Sequence, residues 1–119
     1  MFRKYDDRRT VEPEEVTVRE PHHPARRELR LTSVLHALSD PTRLAIVHDL
    51  AASTEQACGT FPVAVSKSTL SQHFKVLREA GVIRTRVEGV QRFQSLRRDD
   101  LDARFPGLLD AVLAAPRPR

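Results

Sequence analysis

The stretch from Ser66 to Gly81 restricts the fold more than any other part of this chain. Ser66 offers an N-cap oxygen, and Leu70, Phe74 and Leu77 follow at positions i, i+4 and i+7 of one helix face. Gly81 supplies a left-handed stop at the end of the pattern. The pattern predicts a capped helix that has an apolar face for a core and a polar face for a ligand.

Two further helices are predicted before this one, which spans 66–79. Apolar residues recur at helical spacing from residue 29 onward and mark the first helix. Asp40 supplies an N-cap oxygen, and Pro41 supplies a first-turn residue, for a second helix over 41–51. The connector over 52–65 is predicted to be a short helix or an irregular segment.

A hairpin is predicted directly after the capped helix. Strand-like runs over 82–87 and 90–96 flank a turn at Glu88-Gly89. The order of two helices, a connector, a polar-faced helix and a hairpin is that of a winged helix-turn-helix. We therefore expect a mainly α (α+β) fold with a two-stranded β-wing.

The chain of 119 residues has room for one domain with a modest core. Near its end, Asp99 or Asp100 can cap a short helical turn, and Pro106 can open a last helix. Prolines and balanced charges near the start indicate a flexible or extended arm. The expected divisions are an arm over 1–28, the domain over 29–115 and a frayed tail over 116–119.

Positive charge is concentrated in the second half of a chain whose formal net charge is +4. Only Glu79 and Glu88 oppose the basic residues between Ser66 and Arg98. Such a block either attracts a phosphate backbone or forms an ordinary solvated face. The basic residues are Lys67, Lys75, Arg78, Arg84, Arg86, Arg92, Arg97 and Arg98.

The polar face of the capped helix suits the major groove of double-stranded DNA. Gln72 can bond an adenine edge, whereas Lys67 and the arginines of the hairpin suit phosphates. His73 can contact DNA or fill the junction with the wing. The predicted DNA-binding residues are Ser66, Lys67, Ser68, Thr69, Ser71, Gln72, His73, Lys75, Arg84, Arg86, Gln91 and Arg92.

Three motifs resemble those of ArsR-like winged-helix repressors: Ala37-Leu38-Ser39-Asp40-Pro41-Thr42-Arg43-Leu44, then Ser68-Thr69-Leu70-Ser71-Gln72-His73-Phe74-Lys75-Val76-Leu77-Arg78-Glu79-Ala80-Gly81-Val82-Ile83, then Glu88-Gly89. The resemblance covers about 31–113. It implies a cytoplasmic homodimer that binds an imperfect inverted repeat and leaves DNA when an effector acts. It also implies a recognition helix over 66–79, a wing over 84–94 and a dimer interface on the first and last helices. The Cys-x-Cys motif of metal-sensing members is absent, so the effector is not predicted.

Two apolar stripes serve either the core or a dimer seam. In so small a chain we favour the seam, because two terminal helices leave apolar surface that one subunit cannot cover. The stripes are Leu31, Val34, Leu35 and Leu38 on the first helix, and Leu108, Leu109, Val112 and Leu113 on the last.

Cys58 is the only cysteine, so no disulfide can form within the chain. It is either a small buried residue or a redox-sensing thiol. A metal site across a dimer would have to draw on His22, His23, His36 and His48, whose spacing is not clustered, so no metal and no cofactor are predicted.

Other functional classes are disfavoured. The chain has no phosphate-binding loop and no motif that pairs a nucleophile with a base, so we expect no enzyme. No apolar run approaches the roughly 18 residues that span a bilayer, and we expect a cytoplasmic protein without a membrane partner. A basic RNA-binding or protein-interaction module remains the alternative, although aromatic residues at 5% leave few platforms for unpaired bases.

Overall fold

Five helices and a three-stranded sheet form the described part of the chain, residues 20–57, 61 and 65–116, of this computed structural model. A 3-10 turn at Arg26–Glu28 comes first. The helices are α1 (Leu31–Leu38), α2 (Pro41–Ala51), α3 (Lys67–Glu79), α4 (Arg98–Arg104) and α5 (Leu108–Ala114). The strands are β1 (Gln56–Ala57), β2 (Ile83–Glu88) and β3 (Gln91–Leu96). The predicted winged helix-turn-helix is confirmed.

Asp40 and Arg43 fix the corner between α1 and α2. The Asp40 carboxylate accepts the backbone N–H groups of Thr42 at 2.9 Å and Arg43 at 3.0 Å, which confirms the predicted N-cap. The Arg43 side chain donates to the carbonyls of Ala37 at 2.7 Å and His36 at 3.3 Å. The Ala37 carbonyl cannot pair with residue 41, because Pro41 has no N–H, so Arg43 takes that place. The His36 carbonyl also accepts the backbone N–H of Ser39 at 3.1 Å and its hydroxyl at 2.7 Å.

The two ends of α3 follow their predicted signals. The Ser66 hydroxyl accepts the backbone N–H of Thr69 at 3.2 Å, as an N-cap should. After the helix, Gly81 takes a φ of +86°, and Val82 N–H donates back to the Leu77 carbonyl at 2.9 Å. The chain can therefore turn sharply from α3 into β2.

The wing carries a strand that was not predicted. β2 and β3 pair from Ile83 opposite Leu96 to Glu88 opposite Gln91, with the turn at Gly89 and Val90, one residue later than expected. β1 pairs antiparallel with the outer edge of β3 and makes the sheet order β1-β3-β2. A strand of two residues is too short to show an alternating pattern. For this reason the connector was predicted to be a short helix or an irregular segment.

The outer edge of β2 is covered by the end of the predicted arm. Thr85 N–H donates to His23 Nε2 at 3.0 Å, and Val87 N–H donates to Glu20 at 3.2 Å. Residues 20–25 have no regular secondary structure and run beside this edge, while 1–19 lie outside the described residues. The side chains of the arm thus satisfy backbone donors that an edge strand leaves open.

The core draws on every helix. Val34 and Leu38 of α1 and Leu109 of α5 are buried inside this single chain, so they are not free for the predicted dimer seam. Leu31 and Leu35 remain exposed, at 45% and 46%, and lie on the adjacent side of α1. The other members of the predicted seam pack against the core while keeping part of their surface: Leu108, Val112 and Leu113.

The last two helices begin differently from the prediction. α4 starts after Arg97, and Asp100 lies in its first turn instead of capping it. The Asp100 carboxylate accepts a hydrogen bond from the Arg97 guanidinium at 2.9 Å. The Arg97 side chain is only 3% exposed, and a buried cation without a carboxylate partner would be destabilising. α5 begins at Leu108, directly after Gly107 at a φ of +82°, and not at Pro106. Within the described ranges, no helix combines the length and apolarity that a bilayer crossing requires.

Candidate nucleic-acid interface

One face of α3 presents an unbroken polar surface. Phe74 and Leu77 are buried on the other face, where the Phe74 ring meets Phe61 edge-on at 5.1 Å. This packing fixes the rotation of the helix about its axis. The residues that it leaves exposed together are Lys67, Ser68, Thr69, Ser71, Gln72 and Lys75.

The first turn of this face is a cluster of hydroxyl groups. The Ser66 hydroxyl lies 3.2 Å from that of Ser68 and 3.0 Å from that of Thr69, in addition to its contact with the backbone. Ser66 therefore serves the helix end first. Ser68 and Thr69 can still turn towards a ligand, because each hydroxyl combines one donor with two acceptor positions.

His73 lies at the junction of α3 with α2 and not with the wing. Its side chain is 15% exposed, with Nδ1 3.3 Å from Arg43 Nη1 and Nε2 4.0 Å from Asp40 Oδ2. A guanidinium only donates, so Nδ1 is the hydrogen-bond acceptor in its contact with Arg43. Burial raises the pKa of Asp40, but the backbone N–H of Arg43 and the nearby charges outweigh it, and the pKa falls below its ordinary value. His73 therefore has its described partners, Arg43 and Asp40, at the start of α2.

Several of the predicted phosphate-binding arginines are already paired. Arg86 contacts Glu55 at 2.9 Å and Glu88 at 2.8 Å, and Arg84 lies 3.8 Å from Asp100. Each pair lowers the net positive field that the wing presents to an approaching polyanion. The remaining basic residues of the second half that form ion pairs are Arg97 with Asp100, and Arg98 with Asp102 and Asp110.

Other basic residues face solvent without an ion pair to any described residue. Lys67 and Lys75 belong to the exposed face of α3, and Arg92 lies beside the wing tip with Gln91. Arg78 is half-buried and also has no ion pair to a described residue, although it was not among the predicted DNA-binding residues. Its spacing of three from Lys75, on the same side of the helix, is the signal that could have identified it.

The positive charge of Arg92 on β3 acts on Arg78 at the end of α3. Burial is the first cause that lowers the pKa of Arg78, and the positive charge of Arg92 lowers it further, while Glu79 acts in the opposite direction. Two guanidinium groups that repel each other gain from an anion placed between them. The pair extends the basic surface from the end of α3 to the wing.

A shallow groove of about 270 Å³ lies beside this face. It brings Arg43 of α2 next to Gln72 and His73 of α3. The start of α2 therefore borders the same surface as the polar face of α3.

The described histidines that were weighed for metal sensing are not grouped into a metal site. Cys58 lies outside the described residues, so its environment is not tested. His23 is occupied at the edge of β2, while His22 and His36 are exposed. Across the described ranges, no three His, Cys, Asp or Glu side chains are grouped closely enough to hold a metal ion.

Comparisons with known proteins agree on the type of domain. A family described as a helix-turn-helix domain matches residues 38–86. The uncharacterized HTH-type transcriptional regulator YceK of Bacillus subtilis (strain 168) is 40% identical over 82 residues, which are 66% of this chain and 82% of that protein.

Solved structures share the same architecture. An ArsR family transcriptional regulator superposes with a TM-score of 0.59 at 24% identity, over 68% of this chain and 90% of its own, which is a likeness of fold. HlyU from Vibrio cholerae N16961 has a TM-score of 0.57 at 26% identity, over 68% of this chain and 85% of its own.

Proposed function

This chain belongs to the ArsR-like helix-turn-helix transcription regulators, which are not enzymes, and we propose that it binds specific double-stranded DNA as a homodimeric repressor. The exposed polar face of α3 is the observation that carries the proposal. Short hydrogen-bonding side chains on this face can contact bases, and neighbouring cations that have no ion pair to a described residue can contact phosphates.

In this proposal α3 enters the major groove. Gln72 lies mid-helix on the exposed face and pairs with an adenine edge, while Ser68, Thr69 and Ser71 contact bases or phosphates. The phosphate contacts come first from the side chains that have no ion pair to a described residue: Lys67, Lys75, Arg78 and Arg92.

The homodimer in this proposal uses the apolar surface that remains on the terminal helices. Leu31 and Leu35 form its α1 part, and the half-buried Leu108, Val112 and Leu113 form its α5 part. A two-fold dimer places two copies of α3 in successive major grooves about 34 Å apart, which matches an imperfect inverted repeat. Light scattering should give twice the chain mass at micromolar concentration, and a monomer would contradict this part.

An effector that releases DNA belongs to the same proposal, although no described residue identifies it. The sensing role of Cys58 can be tested by comparing the protein before and after peroxide treatment, with Cys58→Ser as the control. Loss of DNA affinity that the serine variant resists would support a redox effector.

The deciding experiment is fluorescence anisotropy on labelled duplex DNA from the upstream region of the gene, with scrambled duplex and duplex RNA as competitors. Measurements at two salt concentrations separate the phosphate contribution from base reading. Tight binding that prefers the upstream duplex supports the proposal. Equal, salt-sensitive binding of every duplex would indicate a nonspecific basic module, and no binding at low salt would overturn the proposal.

A further inference from the structure

The guanidinium of Arg86 is enclosed by three groups. Glu55 contacts it with both carboxylate oxygens, Oε2 at 2.9 Å from Nε and Oε1 at 2.9 Å from Nη2. Glu88 contacts Nη1 at 2.8 Å. The guanidinium also lies over the ring of Phe93, 4.6 Å from its centroid. Arg86 is thus held in one orientation by two anions and an aromatic face.

The backbone holds Glu55 in this position. Glu55 directly precedes β1, whose Ala57 is paired opposite Phe93 of β3. On the wing, Arg86 is itself paired opposite Phe93 in the β2–β3 ladder. The pairing of β1 and β2 with β3 therefore places the Glu55 carboxylate close to the Arg86 guanidinium. The contact depends on this backbone pairing and not only on the conformations of two surface side chains.

The arrangement is one that a phosphate group also fits. A carboxylate that binds an arginine with two oxygens presents the same fork as two phosphate oxygens. The Arg86 side chain is 44% exposed, so a phosphate can approach it from solvent. The hydrogen bonds from Arg86 lower the pKa of Glu55, which keeps the carboxylate ionised and able to compete at neutral pH.

We propose that Glu55 occupies, in the free protein, the position on Arg86 that a DNA backbone phosphate takes in the complex. This inference rests on the proposed function. The wing then binds DNA only by exchanging an internal anion for an external one, so Glu55 weakens DNA binding and sets a threshold for it. Lys67, Lys75 and Arg92 face no such competition from described residues.

The test is a double-mutant cycle on duplex DNA affinity with Glu55→Gln, Arg86→Gln and the double variant. Glu55→Gln should tighten binding by about twofold to fivefold at low salt, the range expected for an exposed ion pair. In the Arg86→Gln background this gain should disappear. Glu79→Gln is the matched control, since it removes one exposed negative charge from α3 and should act equally in both backgrounds.

Two outcomes overturn the inference while DNA binding stands. Either Glu55→Gln leaves the affinity unchanged or lowers it, or its gain is the same in both backgrounds and reflects only long-range charge. Thermal melts of all variants verify that each is folded.

A readout without DNA separates failure of this inference from failure of the proposed function. The NMR signal of Arg86 Nε–H in Glu55→Gln should move when inorganic phosphate is added, and that of the unmodified protein should move much less. If no variant binds duplex DNA but this signal moves, the proposed function fails and the anion site stands. If the signal does not move, the site itself is refuted.

Discussion

The side chain of Leu29 fills the space in which a Cβ atom on Gly81 would lie. Leu29 follows the 3-10 turn of the arm and is 1% exposed, while Gly81 ends α3 with a φ of +86°. The contact joins the end of the arm to the point where α3 turns into the wing. A side chain at position 81 would disturb both.

Replacing Gly81 with alanine should destabilise the fold by about 2–5 kcal/mol, because left-handed backbone strain adds to overpacking against Leu29. Gly89→Ala is the matched control. Gly89 also has a positive φ, +63°, but an added Cβ meets nothing within 4 Å, so its cost should be about 1–2 kcal/mol. Urea unfolding measures both, and equal losses would contradict the role of Leu29.

The base of the wing contains a buried polar pair whose removal should be costly. Thr85 donates to Gln94 Oε1 at 2.7 Å, and the two residues are 0% and 1% exposed. Thr85→Val keeps the shape but removes the donor, and should lower the free energy of unfolding by about 1–3 kcal/mol. Thr85→Ser retains the hydroxyl, so it should retain the contribution of this hydrogen bond to the free energy of unfolding. A valine variant as stable as the wild type would show that the pair contributes nothing.

His23 makes the contact between the arm and the wing sensitive to acid. Burial lowers its pKa below the ordinary 6.5, the charges of Arg84, Arg97 and Arg78 lower it further, and Glu20 opposes them. The unfolded chain therefore takes up a proton at a higher pH than the folded chain does. The stability that this residue contributes is complete above about pH 7.5, and it is lost as the pH falls from the unfolded-state value of 6.5 through the lower pKa of the folded protein.

Replacing His23 with glutamine should flatten this pH dependence, because the amide oxygen can accept Thr85 N–H but does not titrate. Melting temperatures between about pH 7.5 and pH 5.5 measure the effect. His22→Gln is the control, since His22 is exposed beside it and should keep the wild-type slope. If the two variants behaved alike, another group would be responsible.

Gln72→Ala should change sequence preference without changing stability. The side chain is exposed on α3, so its loss should leave the melting temperature nearly unchanged. Affinity for the preferred duplex should fall by about 1–3 kcal/mol, with discrimination relaxed at one base pair. Binding to a set of duplexes with single substitutions measures this, and unaltered preference would refute the base-reading role.

Arg92→Ala should instead weaken binding to every duplex. One lost phosphate contact should lower the slope of log affinity against log salt by about one unit. Arg98→Ala is the control, because Arg98 lies on α4 and pairs with Asp110 at 3.1 Å. Equal slopes for the two variants would place Arg92 outside the interface.

Local signals were sufficient for α2 and α3 and their N-caps, but not for the starts of α4 and α5. Asp40 and Ser66 act on amides two or three residues away, so the pattern and the partner lie in one short window. The exposed face of α3 followed from the same periodicity. Arg78 lies three residues after Lys75 and could have been predicted on the same basis.

Contacts between distant residues were beyond local patterns. Glu55 and Arg86 are 31 residues apart, and His23 and Thr85 are 62 apart, so neither pair leaves a periodic trace. Local patterns also could not separate the buried residues of the two apolar stripes from the exposed ones. Val34 and Leu35 are adjacent in sequence, yet Val34 is buried and Leu35 is exposed. The elements that pack against α1 determine which of its apolar residues are buried, and a local pattern does not identify those elements.

The coverage of both sides of the wing has a consequence for how the protein behaves when crowded. An open strand edge is a template on which a second molecule can extend the sheet, and repeated addition leads to aggregation. Here the two-residue β1 covers Phe93 and Gln94 on one side, and Glu20 and His23 accept backbone N–H groups of β2 on the other. The wing can thus project from the domain with little risk of intermolecular sheet growth, even at high concentration.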